Sequence, residues 1–495
     1  MQETQITLTP SQQDAFDKII DFVENKKDRV FILKGYAGTG KTTITKQLIN
    51  TLSKMKVHYY LAASTGRASK IMSDISGYSS TTIHSMIYSY KDFNQDIKIV
   101  VDNKKDEQIE KNDRIKHFYL VFDFKPLPDH EQQNVYIIDE SSMISDKAQI
   151  VVTQAQFGSG KLLSDLLEYD KTGQFIFIGD NCQLPPINQE ISPALSIDYF
   201  KENFDIDAQW AELTEIMRQK GDNDIIRLSE KIRKCYFSAP FDDSNYQGSN
   251  WSKLQWRNSN NIILYENELA FLEKYSDMIY NENYNCATML SYSNKRCNEL
   301  SRTIRKFLGF RGDLVVGDLL LVTQNNLISG LMNGDLVKVK AIKSQEYNSR
   351  AGLTFIGVTV ENIANNQEYQ QLMIKDVLYD TKTANLNIEQ QNSLFIDFII
   401  RMVQKGVKNQ KSSEFVDAMH NDEYLNALRC TYGYVLTCHK AQGGEWNDVF
   451  LSPMRSITLN VTKGKYQWIY TGMTRAKKNL HLVDDFFIAG FQNRK

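Results

Sequence analysis

Residues 35–43 read GYAGTGKTT, and their setting decides the fold. In front of them RVFILKG (29–35) is a short apolar run ending in glycine, as a buried parallel strand does. Behind them ITKQLIN (44–50) reads as the start of a helix. Gly35, Gly40, Lys41 and Thr42 fill the pattern G-x-x-x-x-G-K-[ST] at the strand-to-helix junction. The glycines let backbone N–H groups from Gly38, Thr39, Gly40 and Thr43 turn inward around phosphates, and the helix N-terminus adds its dipole. Lys41 offsets the β/γ charge, and Thr42 offers an oxygen to Mg²⁺. A chance glycine-rich turn would need neither flank. The stretch therefore implies a nucleoside triphosphate site.

Other runs repeat the strand pattern: HYYLAAS (58–64), VYIIDE (135–140) and FIFIGD (175–180) are apolar and end in small or acidic residues. Separated by helical stretches, they imply a doubly wound α/β unit with ligands at the carboxyl ends of its strands. LTPSQQDAFDKIIDFVEN (8–25) reads as a leading helix, which Thr9 or Ser11 can cap. ATMLSYS (287–293) and YGYVLTC (432–438) suggest a second α/β unit. Between 88 and 134 the pattern breaks into β-like IKIVV and HFYLVFDF around a highly charged centre, the signature of a hairpin-like insertion. GDLLLVTQNN and GDLVKVKAI, from 317, mark a second, β-rich insertion.

The 495 residues allow two to four domains, and 42% hydrophobic with 24% charged residues fit a soluble globular protein. The net charge of −2 makes any phosphate-binding surface a local patch. Six scattered cysteines without a C-x-x-C pair argue against a zinc site or disulfide framework and fit a reducing cytoplasm. The N-terminus lacks a secretion signal, and SLFIDFIIRMV (393–403) is too short to span a bilayer, so a cytoplasmic location with no membrane partner is expected.

Two further strand ends carry chemistry. Asp139 can hold Mg²⁺ while Glu140 orients and deprotonates a water attacking the γ-phosphate. In GDNCQLPPI (179–187), Gln183 can hydrogen-bond the γ-phosphate or that water.

Together these motifs resemble superfamily 1B DNA helicases of the RecD/Pif1/Dda-like branch. AASTGRASKIM (62–72) and SSTTIHSMI (79–87) match motifs Ia and Ib, GDNCQLPPI motif III, ELTEIMRQ (212–219) motif IV, TCHKAQGGEW (437–446) motif V and WIYTGMTRAKK (468–478) motif VI. The resemblance implies two RecA-like P-loop NTPase domains in tandem. Domain 1A spans 1–87 and 135–205, with a β-hairpin domain 1B at 88–134. Domain 2A spans 206–335 and 430–495, with an SH3-like β-rich accessory domain 2B at 336–429. It implies that Gln12 (or its neighbour Gln13) reads adenine, that Glu445 bonds the ribose, and that Arg218 and Arg475 reach the γ-phosphate from outside the first unit. Nucleic-acid contacts fall on Ser64, Thr65, Gly66, Thr82 and His84 in the first unit. In the second they fall on Ser291, Asn294, Thr437, His439 and Lys440. The implied protein is a monomeric Mg-ATP-driven motor on single-stranded DNA and single-strand/duplex junctions, moving 5′ to 3′. The insertion stands where the family carries a strand-splitting pin; Phe118, Tyr119, Phe122 and Phe124 are candidate aromatic components on a strand that reads more readily as core, and no separating residue is assigned. A P-loop NTPase acting as a switch is the competing reading; it leaves Arg475 and motifs Ia, Ib and V unexplained.

Overall fold

The computed structural model describes residues 7–97, 118–128, 133–148, 155–215, 223–238, 260–379, 384–452 and 463–483. Among the described residues the first half carries nine strands: β1 (Val30–Gly35), β2 (Tyr59–Ala63), β3 (Thr81–Thr82), β4 (Tyr88–Phe93), β5 (Leu120–Phe124), β6 (Val135–Asp139), β7 (Ala155–Phe157), β8 (Gln174–Gly179) and β9 (Gln209–Leu213). Six of them form one parallel sheet in the order β3-β2-β6-β8-β1-β9. β1 is apolar at successive positions because it is covered on both faces. Phe31 and Leu33 pack with Ile19, Ile44 and Leu48, whereas Val30 and Ile32 pack with Ile138, Phe175 and Phe177. The leading helix Pro10–Asn25 starts at Thr9 in a capping box with Gln12, which settles the cap in favour of Thr9.

The second half carries β10 (Ile262–Tyr265), β11 (Ala287–Ser291), β12 (Leu319–Val322), β13 (Leu336–Arg350), β14 (Leu353–Asn362), β15 (Glu368–Ile374), β16 (Cys430–Tyr432), β17 (Val435–Thr437), β18 (Trp446–Ser452) and β19 (Ala476–Val483). A second parallel sheet runs β10-β19-β18-β11-β17. An antiparallel sheet runs β15-β14-β13-β12-β16. These are the two RecA-like layers and the β-rich accessory unit that the motifs imply.

Four sequence-based boundaries shift. The cut at 206 hands Gln209–Leu213 to the second unit, but β9 pairs with β1 at the edge of the first sheet. The cuts at 335 and 430 hand β12 and β16 to the second unit, yet both belong to the antiparallel sheet. The cut at 134 separates β7 from the hairpin, whereas β7 pairs with β5 in the three-stranded sheet β4-β5-β7. In each case a short apolar run has its hydrogen-bonding partner elsewhere in the chain, and composition carries no record of that partner.

The hairpin is tied down. Phe93, Ile97 and Phe118 share one core with Leu353, Phe355, Phe395, Phe398 and Phe415 of the accessory unit. The Phe93 ring meets Phe395 edge-on at 5.5 Å and Phe415 at 6.2 Å. Polar bonds reinforce it: Phe118 N–H donates to Asn392 Oδ1 at 2.6 Å and Ile97 N–H to Gln410 Oε1 at 2.8 Å. Of the aromatic candidates for the pin, Phe118 is therefore core, while Phe122 and Phe124 pack against the first sheet's cluster. The charged centre of the hairpin lies outside the described residues.

Phe93→Ala should cost about 3–5 kcal/mol of local stability by emptying a core shared by two units. Hydrogen exchange should quicken in both β4 and the helix Ile388–Gln404, with β1 and β6 unchanged. Unaltered exchange in that helix would show that the two units are not held together here.

Candidate functional site

The phosphate loop is built by β1 and the helix Lys41–Lys54. Gly38 and Gly40 take φ of 82° and 84°, the left-handed region that glycine enters without strain. A Cβ on Gly40 would also lie 2.3 Å from Gln12 Nε2. Lys41 Nζ donates to the Gly35 carbonyl at 2.7 Å and the Tyr36 carbonyl at 3.2 Å, which holds the ammonium over the loop. Gln12 supports the loop from behind: its Nε2 donates to the Thr39 carbonyl at 3.0 Å and its Oε1 accepts the Thr9 N–H at 3.1 Å. Gln13 instead donates to Asp17 on the exposed side of the helix.

The acidic residues stand at the carboxyl ends of neighbouring strands. Asp139 accepts the Glu140 N–H at 2.8 Å, and Glu140 has φ 48°, a strained value for a side chain other than glycine. The Ser64 hydroxyl, at the end of β2, donates to the Glu140 carbonyl at 3.0 Å and braces that backbone. Burial, then the neighbouring Glu140 charge, pushes the Asp139 carboxyl above its usual range, with Lys41 pulling against both. Burial likewise raises Asp180, whose main counterweight is also Lys41.

The second unit closes the site. A cleft of about 530 Å³ is lined by Gly38, Gly40, Lys41, Thr42, Thr43, Asp139, Glu140 and Gln183 on one wall. Gly443, Glu445, Arg475 and Lys477 stand on the other, with Arg67 and Met72 beside them. Arg475 is 4% exposed, held by its own helix end through Nε to the Thr471 carbonyl at 3.1 Å and by Nη1 to the Gly444 carbonyl at 3.4 Å. Lys477 pairs with Glu445 at 3.7 Å. Bonds from the helix Lys463–Met473 fix the two walls together. Tyr470 donates to Asp180 Oδ2 at 2.8 Å and accepts the Ala37 N–H at 3.1 Å. Thr471 Oγ1 accepts the Leu184 N–H at 2.9 Å, and Gln467 Nε2 donates to the Gln183 carbonyl at 3.1 Å. Gln183 Oε1 is buried beside the cleft without a partner among the described residues.

Most of the expected nucleotide residues thus converge. Gly35 and Thr39 shape the loop from within, and Thr39 Oγ1 donates to the Tyr36 carbonyl at 2.8 Å. Arg218 lies outside the described residues. Sequence reasoning missed Arg67, Lys477 and Tyr470. All three stand inside the motifs quoted above, where the neighbouring residues drew the attention.

The expected nucleic-acid residues separate into two groups. Thr65, Thr82 and Thr437 each cap a helix, accepting the N–H of Ala68, Ser85 and Lys440 respectively. His84 meets Phe157 edge-on at 4.9 Å, in a crevice of about 110 Å³ with Tyr88 and Ser159; burial lowers its pKa. In the second unit Asn294, Thr437 and Lys440 share a small crevice with Tyr432, and burial lowers the pKa of both His439 and Lys440. Gly66 backs onto Met332, where a Cβ would come within 2.4 Å of the sulfur. Ser291 departs from expectation: it is fully buried at the end of β11, which lies between β18 and β17 inside its sheet.

Fold and site define a P-loop nucleotide-hydrolase architecture with two RecA-like units facing one cleft. A family model described as AAA domain matches residues 7–248, and one described as UvrD-like helicase C-terminal domain matches residues 432–483. The ATP-dependent DNA helicase dda of Enterobacteria phage T4 is 25% identical over 503 residues, covering 96% of this chain and 99% of that protein. The ATP-dependent RecD2 DNA helicase of Deinococcus radiodurans is 24% identical over 205 residues, covering 41% of this chain and 22% of that protein. Among solved structures, Pif1 helicase from Bacteroides in complex with ADP-AlF3 and ssDNA aligns at a TM-score of 0.47 and 17% identity, covering 97% of this chain and 93% of the other. The chain is thus similar along almost its whole length to an ATP-dependent DNA helicase, and its C-terminal segment matches a helicase domain model.

Tyr470→Phe should leave a buried carboxylate oxygen and the Ala37 N–H without their shared partner, at a cost of about 1–3 kcal/mol. A lower thermal midpoint with a raised KM for ATP is expected. An unchanged KM would show that the hydroxyl does not set the loop.

Proposed function

We propose that this protein is an ATP-dependent DNA helicase that moves along single-stranded DNA, 5′ to 3′, and opens duplex at a junction. The carrying observation is the shared cleft, with Lys41, Asp139, Glu140 and Gln183 on one unit and Glu445, Arg475 and Lys477 on the other. Hydrolysis in a cleft built this way changes what joins the two units, which is what a motor requires of its fuel site.

The residues divide the work. Lys41 and Arg475 offset the charge that spreads over the γ-phosphate oxygens in the transition state. Glu140, beside Asp139 at a strand end, takes the proton of the attacking water, and Gln183 orients that water. Glu445 bonds the ribose, and Arg218 is assigned the second γ-phosphate arginine. Thr42 and Asp139 line the same cleft with hard oxygen donors and fit a magnesium ion that draws its other oxygens from phosphates and water. Bound there, Mg²⁺ would screen the β and γ charge.

Thr65 and Thr437 serve as matched grips on the nucleic acid. Capping uses a lone pair on each hydroxyl and leaves its proton to donate to a phosphate. The hairpin, anchored through Phe93 and Phe118, serves as the wedge.

Lys41→Ala should abolish DNA-stimulated hydrolysis, and substantial residual turnover would reject the phosphate-site assignment. Glu140→Gln should bind ATP with near-normal affinity yet hydrolyse it at least about a hundredfold more slowly, as loss of general-base catalysis requires. Duplexes bearing only a 5′ or only a 3′ tail decide polarity, and unwinding of the 3′-tailed substrate alone would reverse it.

A further inference from the structure

Arg67 opens the helix Gly66–Ser76 in motif Ia, a segment read above only for contacts to nucleic acid. The structure sends its side chain the other way. The guanidinium lies over the Trp446 ring, 4.6 Å from its centroid, crossing from the first unit to the motif V loop of the second. Gly444 makes room for it: a Cβ there would lie 2.7 Å from Arg67 Nη2. The Gly444 carbonyl is also the group that receives Arg475 Nη1, so the two arginines converge on one residue. Arg67 lines the nucleotide cleft beside Arg475, and its Nη1 is buried there with no hydrogen-bond partner among the described residues. A buried guanidinium N–H without a partner is costly; the Asp335 charge offsets part of that cost, while the Arg475 guanidinium adds repulsion. An anion in the cleft would relieve both penalties. Stacking on Trp446 holds the guanidinium plane while leaving its edge N–H groups to donate, an arrangement suited to phosphate oxygens and closed to lysine.

We propose that Arg67 is a further nucleotide-contacting residue, donating to the γ-phosphate end of bound ATP alongside Arg475. This rests on the nucleotide site proposed above. It assigns motif Ia a direct part in sensing the fuel, and Trp446 carries that contact into the motif V loop.

The test is equilibrium binding of a fluorescent non-hydrolysable ATP analogue and of fluorescent ADP to wild type, Arg67→Ala and Arg67→Lys. Anisotropy with a single-stranded oligonucleotide, in the absence of nucleotide, runs in parallel. Loss of a charge-assisted phosphate bond should weaken analogue binding by about tenfold or more in Arg67→Ala. ADP and oligonucleotide binding should change far less. Equal loss for both nucleotides, no loss, or loss confined to the oligonucleotide overturns the proposal. If thermal unfolding shows that Arg67→Ala is poorly folded, Arg67→Lys decides: it keeps charge and stem but loses the fork, so analogue affinity equal to wild type overturns the assignment. The helicase reading is scored separately, by wild-type unwinding of tailed duplexes. A wild type that binds nucleotide without unwinding would sink that reading and leave the Arg67 comparison intact.

Discussion

The structure depends on one hydroxyl. Tyr470 stands on the last helix of the second unit, yet its oxygen sits between the Ala37 N–H of the phosphate loop and the buried Asp180 at the end of β8. Around it Tyr36, Cys182 and Leu184 of the first unit share a core with Leu436, Trp468 and Tyr470 of the second. Apolar burial gives this junction its strength, and the hydrogen bonds to the loop after β8 give it register. The facing of the two cleft walls follows from that registration. Without it, Arg475 and Glu445 would belong to a separate domain with no fixed relation to Lys41.

The candidate phosphate site was legible in the sequence because its pattern is local. Gly35 through Thr43 must be contiguous, and Asp139, Glu140 and Asp180 must end strands, so spacing alone places them. The accessory units were legible only as β-rich interruptions. Their edges at β7, β9, β12 and β16 are set by pairing between strands far apart in sequence. Burial was the other blind spot. Ser291 reads as a strand-end hydroxyl and is fully enclosed, whereas Phe118, on a strand that reads more readily as core, is indeed core at 1% exposed. Arg67 was missed for the opposite reason: its destination is a residue almost four hundred positions away, which no local pattern can encode.

Threonine capping shows how one side chain serves structure and chemistry together. Thr437 ends β17, Thr65 follows β2 by two residues, and each starts a helix, so their hydroxyl oxygens satisfy a backbone N–H that would otherwise be orphaned. The same geometry fixes the rotamer, so any contact made by the remaining proton starts from an ordered side chain.

The bond from Ser64 to the Glu140 carbonyl has a thermodynamic consequence. It links the peptide that carries Glu140, held in a left-handed turn, to the residue preceding the Thr65 cap. Anything that shifts the equilibrium position of that cap also shifts the energy of the strained peptide. If the ligands proposed for the two ends couple through this bond, each alters the other's affinity by the same factor. Track and fuel would then share a single free-energy surface, and the strain at Glu140 would be the coordinate along which they exchange.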